Sequence, residues 1–156
     1  MWALPVRLRE MPNQPRHKAI RALERAPGTE YDEETFHHLL AMEQARADRM
    51  NQRLRLLLAT LEPLPGKPAP ISPARAVRLF EGLRLSLRET DIMGWYRQDR
   101  VAGAILTARP DAADSETMDL IEQRVGKGLR ERLPSSVATG LRVRVAEQGP
   151  KRVVKR

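Results

Sequence analysis

The chain has 156 residues, enough for one domain with a real core plus tails, and carries a net charge of +8. It has no cysteine, which excludes a disulfide, a thiolate metal site and a cysteine nucleophile. Its longest apolar run, Leu56–Leu61 interrupted only by Thr60, falls far short of the roughly 18–20 residues of a membrane helix, and residues 1–30 lack the apolar segment of a signal peptide, so a cytoplasmic location is expected.

The positive charge invites a nucleic-acid reading, but its distribution argues against one. Residues 31–150 carry 18 basic and 17 acidic side chains, residues 1–30 carry 6 and 3, and the tail 151–156 (KRVVKR) carries 4 and none. The excess therefore sits mostly in the tails, which read first as solvating and second as weak contacts to phosphates or anionic lipid. The expected organisation is a Pro-containing basic arm over 1–30, one domain over 31–149 and a basic tail over 150–156.

Taken in order, Asp32 is placed to cap a helix running to about Gln52, with Glu33 and Glu34 at the positive end of its dipole. Phe36, Leu39, Leu40, Ala47 and Met50 form its apolar face. Leu54–Leu61 is short and nearly all apolar, the pattern of a buried central strand. A break rich in proline, 62–71, ends at Ser72, which caps a second helix with Pro73 at its first position. Ala76, Leu79, Phe80, Leu83 and Leu87 supply that helix's core stripe.

Two short strands then flank the polar turn Arg97-Gln98-Asp99-Arg100: Ile92–Tyr96 before it and Val101–Leu106 after it, a hairpin. A turn-like stretch over 110–114 leads to a third helix from about Ser115 to Glu131. It has Met118, Ile121, Val125 and Leu129 inward and is weakened by Gly126 and Gly128. Pro134-Ser135-Ser136 breaks the chain. Leu141, Val143 and Val145 then alternate with Arg142, Arg144 and Ala146 in a half-buried strand.

The order predicts an α+β fold: a lead-in helix followed by a ferredoxin-like β-α-β-β-α-β unit. Right-handed crossovers then give a four-stranded antiparallel sheet with the first and third strands central and two helices on one face. That fold hosts many functions and names none.

The hairpin carries a resemblance. Arg88-Glu-Thr-Asp91, then five residues (Ile92–Tyr96), then Arg97-Gln98-Asp99-Arg100-Val101 reproduces the spacing between the Arg-x-x-Asp and GGDEF motifs of diguanylate cyclases. The element order agrees, and MEQARADRMNQRLRLLLATLEP resembles the family's lead-in helix and first strand. The similarity spans about Asp32 to Glu147 and implies a GGDEF-like fold. The same comparison implies that the chemistry is lost. Two glycines that let the nucleotide approach the backbone become Arg97 and Gln98, and the acidic pair becomes Asp99-Arg100. The first-strand region that supplies the family's metal-binding aspartate reads Leu58-Ala59-Thr60-Leu61-Glu62, with Ala59 unable to bind and Glu62 out of register. No cyclase activity, no metal and no other cofactor are therefore expected.

The resemblance also implies that Arg88 and Asp91 retain two residues of the family's inhibitory cyclic di-GMP site, arginine on phosphate or guanine and aspartate on the guanine edge. Their ordinary reading is structural: Arg88 at a helix's negative pole and Asp91 fixing the turn into the strand.

Other constellations are weaker. His37 and His38 are adjacent and diverge on a helix, with His17 in the arm, so no metal cluster forms. Ser115, Ser135 and Ser136 lack a His–Asp setting. The scattered methionines read as core filler. Strand alternation sends one of Trp95 and Tyr96 inward. Val101–Ile105 lacks the aromatics of an RNA-recognition strand. The expected function is a catalytically inactive GGDEF-like domain with a regulatory role. It would act through a protein partner or cyclic di-GMP, in the setting of bacterial polysaccharide production that the resemblance suggests. The alternatives are a homodimerising assembly module and nucleic-acid binding through the tails.

Overall fold

Asp32 opens the fold as its position predicts. In the computed structural model, which describes residues 30–107 and 117–148, its carboxylate accepts a hydrogen bond from the Thr35 N–H at 2.9 Å. The helix it caps, α1 (Glu33–Arg49), has Glu33 and Glu34 in its first turn and Arg46 and Arg49 in its last, matching both ends of the dipole. The chain continues as β1 (Leu54–Leu61), α2 (Pro73–Ser86), β2 (Ile92–Arg97), β3 (Val101–Leu106), α3 (Met118–Arg130), a four-residue helix α4 (Ser135–Ala138) and β4 (Leu141–Gln148). Expectations for the arm before residue 30, for 110–114, for Ser115 and for the tail after 148 lie outside the described residues.

The sheet order is β2-β3-β1-β4, and every pairing is antiparallel. The first and third strands are central, as expected for this fold. Side-chain alternation assigns two layers. Leu57, Ala59 and Leu61 of β1, Met93 and Trp95 of β2, Ala102 and Ala104 of β3, and Leu141 and Val145 of β4 face α2 and α3. They pack with Leu79, Phe80, Leu83, Ile121, Val125 and Leu129. The opposite face carries Leu54 and Ile105, which pack with Phe36, Leu39 and Ala47 of α1. Phe36 lies over Gly94 and Gly103, which are paired across β2 and β3. A Cβ on Gly103 would stand 2.9 Å from the ring's Cζ. One on Gly94 would stand 2.7 Å from the Tyr31 carbonyl oxygen.

Both sheet edges are engaged. Tyr31 lies beside β2 in a one-residue parallel bridge, donating from its N–H to Met93 O (3.1 Å) and accepting from Trp95 N–H (2.9 Å). On β4, the Val145 N–H donates to the Glu122 carboxylate of α3 at 2.8 Å.

Several local expectations need correction. Met50 is the residue after the last turn of α1 and is 56% exposed, because the helix stops short of Gln52 and Asn51 takes a left-handed conformation (φ 56°). Met42 is also exposed, so of the methionines only Met93 is buried among the described residues and Met118 packs at the core's margin. The third helix is capped by Thr117, whose hydroxyl accepts from Leu120 N–H, and so starts later than Ser115. It continues through Gly126 and Gly128, since Val125 and Leu129 are fully buried and hold it by packing. The break at 134–136 contains α4, where Val137 and Ala138 donate from their backbone N–H groups to Pro134 O.

Candidate functional site

The hairpin pairing shifts register between Trp95 and Arg97: Trp95 faces Ala102 and Arg97 faces Val101, which leaves Tyr96 as the extra residue of a bulge. Regular alternation would put Arg97 on the α2 side with Trp95. The bulge places it instead opposite Val101, on the face that Thr60 and Leu58 share. Trp95 goes into the core against Phe80, ring centroids 5.0 Å apart, and Tyr96 lies on the other face near His37.

The turn itself is tied down on two sides. Gln98 donates from its N–H to the Glu33 carboxylate (2.7 Å), and its side-chain oxygen accepts from the Glu33 N–H (3.1 Å). Asp99 occupies a left-handed conformation (φ 60°), which a short polar side chain tolerates. Its carbonyl accepts from Ile71 N–H at 2.7 Å. Arg100 closes the turn with its N–H on Arg97 O, and its side chain is exposed.

Arg88 and Asp91 come together at the other end of β2, roughly 20 Å from the turn at about 3.3 Å per residue. Asp91 is buried. One of its oxygens accepts from Arg88 N–H (3.0 Å), and the other accepts from Thr107 N–H (3.1 Å) and the Thr107 hydroxyl (3.4 Å). The Arg88 guanidinium lies 3.6 Å from Asp91 and donates to Thr107 O at 2.6 Å. The pair closes the turn from α2 into β2 onto the end of β3.

Beside the Arg97 turn lies an open depression of about 370 Å³ on the sheet face that α2 and α3 do not cover. Leu58, Thr60 and Val101 form its floor. Arg97 borders it on the hairpin side, and Arg142 and Arg144 border it on β4. The register explains the grouping, since Thr60 pairs with Arg142 on one side and with Val101 on the other, and Leu58 pairs with Arg144. Glu62 closes one end. Its carboxylate accepts from Gly66 N–H (3.0 Å) and the Thr60 hydroxyl (2.8 Å), with Arg142 4.0 Å away. The Gly66 N–H and then the Thr60 hydroxyl hold its pKa below the ordinary value against the desolvation of burial, with lesser help from the Arg142 and Arg144 charges.

Ala59, at the resemblance's metal-binding region, is fully buried against the helix layer. Among the described residues no three His, Asp or Glu side chains gather as a cation site. His37 has its Nε2 2.7 Å from Tyr96 O. Sequence reading missed Thr60, Tyr96, Arg142 and Arg144 as site residues. The alternating arginines of β4 were the available signal, and they read as a solvated strand face.

Among the described residues no helix is long and apolar enough to cross a membrane. No protein-family model matches the sequence, and no curated protein does. Among solved structures, the crystal structure of a DGC protein from Thermotoga maritima is similar, with a TM-score of 0.53 at 17% identity over 78% of this chain and 82% of that chain. At that identity the likeness bears on the fold alone, and it supports the GGDEF-like arrangement.

Proposed function

We propose that this chain is a GGDEF-like domain without cyclase chemistry that works as a regulatory binding module. The fold neighbour's abbreviation is that of diguanylate cyclase, the family whose motif spacing the hairpin resembles. The observation that carries the reading is the state of the hairpin turn. Where the family pattern has two glycines, Arg97 projects onto the sheet face and Gln98 is bound at both its N–H and its side chain to Glu33. A nucleotide could not reach that backbone as it does across glycines.

The residues present do not fit the family's divalent cation either. Ala59 offers no donor, Glu62 already accepts from Gly66 and Thr60 beside arginines, and among the described residues Asp99 belongs to no cluster of three metal-ligating side chains. The decisive experiment incubates the full chain with GTP and Mg²⁺ and separates the products by chromatography. No cyclic dinucleotide is expected, and its appearance would end this reading.

The regulatory role is assigned to a protein partner ahead of cyclic di-GMP, because both Asp91 oxygens already accept hydrogen bonds from the chain and its side chain is only 4% exposed. A guanine edge would have to displace those bonds. Calorimetry with cyclic di-GMP is expected to show no heat at tens of micromolar. Saturable heat that Arg88→Ala abolishes would reverse that order.

A further inference from the structure

We propose that the depression bordered by Arg97, Arg142 and Arg144 is a binding site for a small phosphate-bearing ligand, of the size of a phosphate monoester or a diphosphate. The proposal is independent of whether cyclase activity is absent.

Three features carry it. The first is charge. Three guanidinium groups from two strands face one space, opposed there by the single carboxylate of Glu62. Both oxygens of that carboxylate already accept hydrogen bonds, from Gly66 N–H and the Thr60 hydroxyl. Among the described residues no carboxylate stands within ion-pair distance of Arg97 or Arg144. The site keeps an excess of two positive charges, which a dianionic phosphate would match. Guanidinium forks suit that ligand because they donate pairs of parallel N–H bonds to phosphate oxygens.

The second feature is construction. Arg97 faces the site only because of the bulge at Tyr96, and its wall is fixed from behind by the Gln98–Glu33 pair and the Asp99–Ile71 hydrogen bond. Arg142 and Arg144 stand on a regular strand in register with Thr60 and Leu58. A bulge that re-aims one side chain toward two cations is the kind of irregularity found beside binding sites. The third is shape and lining. The volume of about 370 Å³ lies at the small end of ligand pockets, about 300–1,000 Å³. Leu58 and Val101 give an apolar floor for the uncharged part of an ester. A concave site of this size favours a small molecule over a polymer strand.

The test uses the full chain at constant ionic strength, titrated by calorimetry with inorganic pyrophosphate, glucose monophosphate and adenosine monophosphate. At least one is expected to bind saturably with a Kd below about 1 mM. Arg142→Ala/Arg144→Ala, and separately Arg97→Ala on the opposite wall, are expected to weaken that binding about tenfold or more. The control Arg75→Ala/Arg78→Ala, on α2, should leave it unchanged. All these side chains are exposed, and circular dichroism checks that each variant folds. Preference for pyrophosphate over the esters would assign a free diphosphate; preference for an ester would assign the apolar floor to its organic part. Absence of saturable binding by all three probes overturns the proposal, as does equal weakening in the α2 control, which would mean diffuse charge. A single-stranded oligonucleotide that binds the same residues at least about tenfold tighter than every small probe also overturns it in favour of a polymer surface.

Discussion

Replacing Gly103 by alanine tests the packing of α1 on the hairpin. An ideal Cβ at this position meets Phe36 Cζ at 2.9 Å, Phe36 Cε2 at 3.2 Å and Tyr96 Cβ at 3.3 Å. Phe36 is fully buried, so the ring has no solvent to move into. Overpacking of this kind costs about 1–3 kcal/mol, while Gly→Ala returns about 0.4–1 kcal/mol by restricting the unfolded chain. The net expectation is a loss of about 1–2 kcal/mol, read as a fall in the urea midpoint of about 0.5–1 M for a slope near 2 kcal/mol/M. Phe36→Leu alone costs about 1–2 kcal/mol. Because leucine lacks the ring edge that clashes, the double variant should lose less than the two single losses added, by about 1 kcal/mol. Gly94→Ala behaves differently. Its Cβ meets the Tyr31 backbone at 2.7 and 2.9 Å as well as the ring at 3.0 Å, so shortening Phe36 should relieve little of its cost. The reasoning fails if Gly103→Ala is neutral, or if both glycine variants are rescued equally by Phe36→Leu.

Four further outcomes are expected. Asp91→Ala should cost about 2–3 kcal/mol in thermal unfolding, since it orphans the Arg88 and Thr107 N–H groups. Arg88→Ala should cost about 1 kcal/mol or less, because the guanidinium is partly exposed. Glu62 has a folded pKa below its ordinary 4.5. It therefore contributes stability above that value and loses the contribution as pH falls through the lower folded one. Glu62→Gln should flatten the acid limb of the melting temperature against pH, and an unchanged limb would show that the 62–67 loop does not depend on the carboxylate. Glu122→Ala should lower stability by about 1–2 kcal/mol and speed amide exchange at Val145, whose N–H loses its acceptor.

The elements that rest on short-range signals are legible in the sequence. Ser72 followed by Pro73 marks the start of α2, and the apolar run Leu54–Leu61 is β1 to the residue. Both depend on neighbours within one turn or one strand. The strand order follows from the element order because connections in such folds are restricted. What the sequence does not show is fixed by residues distant along the chain. The Glu33–Gln98 pair joins positions 65 apart, and Tyr31 meets Gly94 across the whole first half of the fold. The bulge at Tyr96 has no local mark, so periodicity assigns Arg97 to the turn and Arg142 and Arg144 to a solvated face. Only the register brings the three together. Met50 continues the apolar period of α1 but follows its last turn, where periodicity no longer predicts burial.

The engagement of both sheet margins bears on self-assembly. An unpaired strand flank is a template on which a second molecule extends the sheet, and proteins that avoid such polymerisation obstruct it. Here a stranger strand arriving at β2 would meet the Tyr31 main chain already seated, and one arriving at β4 would have to take the Val145 N–H from Glu122. A homodimer of this chain built by continuous sheet extension would begin with the loss of those bonds. Pairing through side-chain surfaces carries no such cost. Release of the Tyr31 strap, by contrast, would bare the β2 flank to pairing with a strand of another copy.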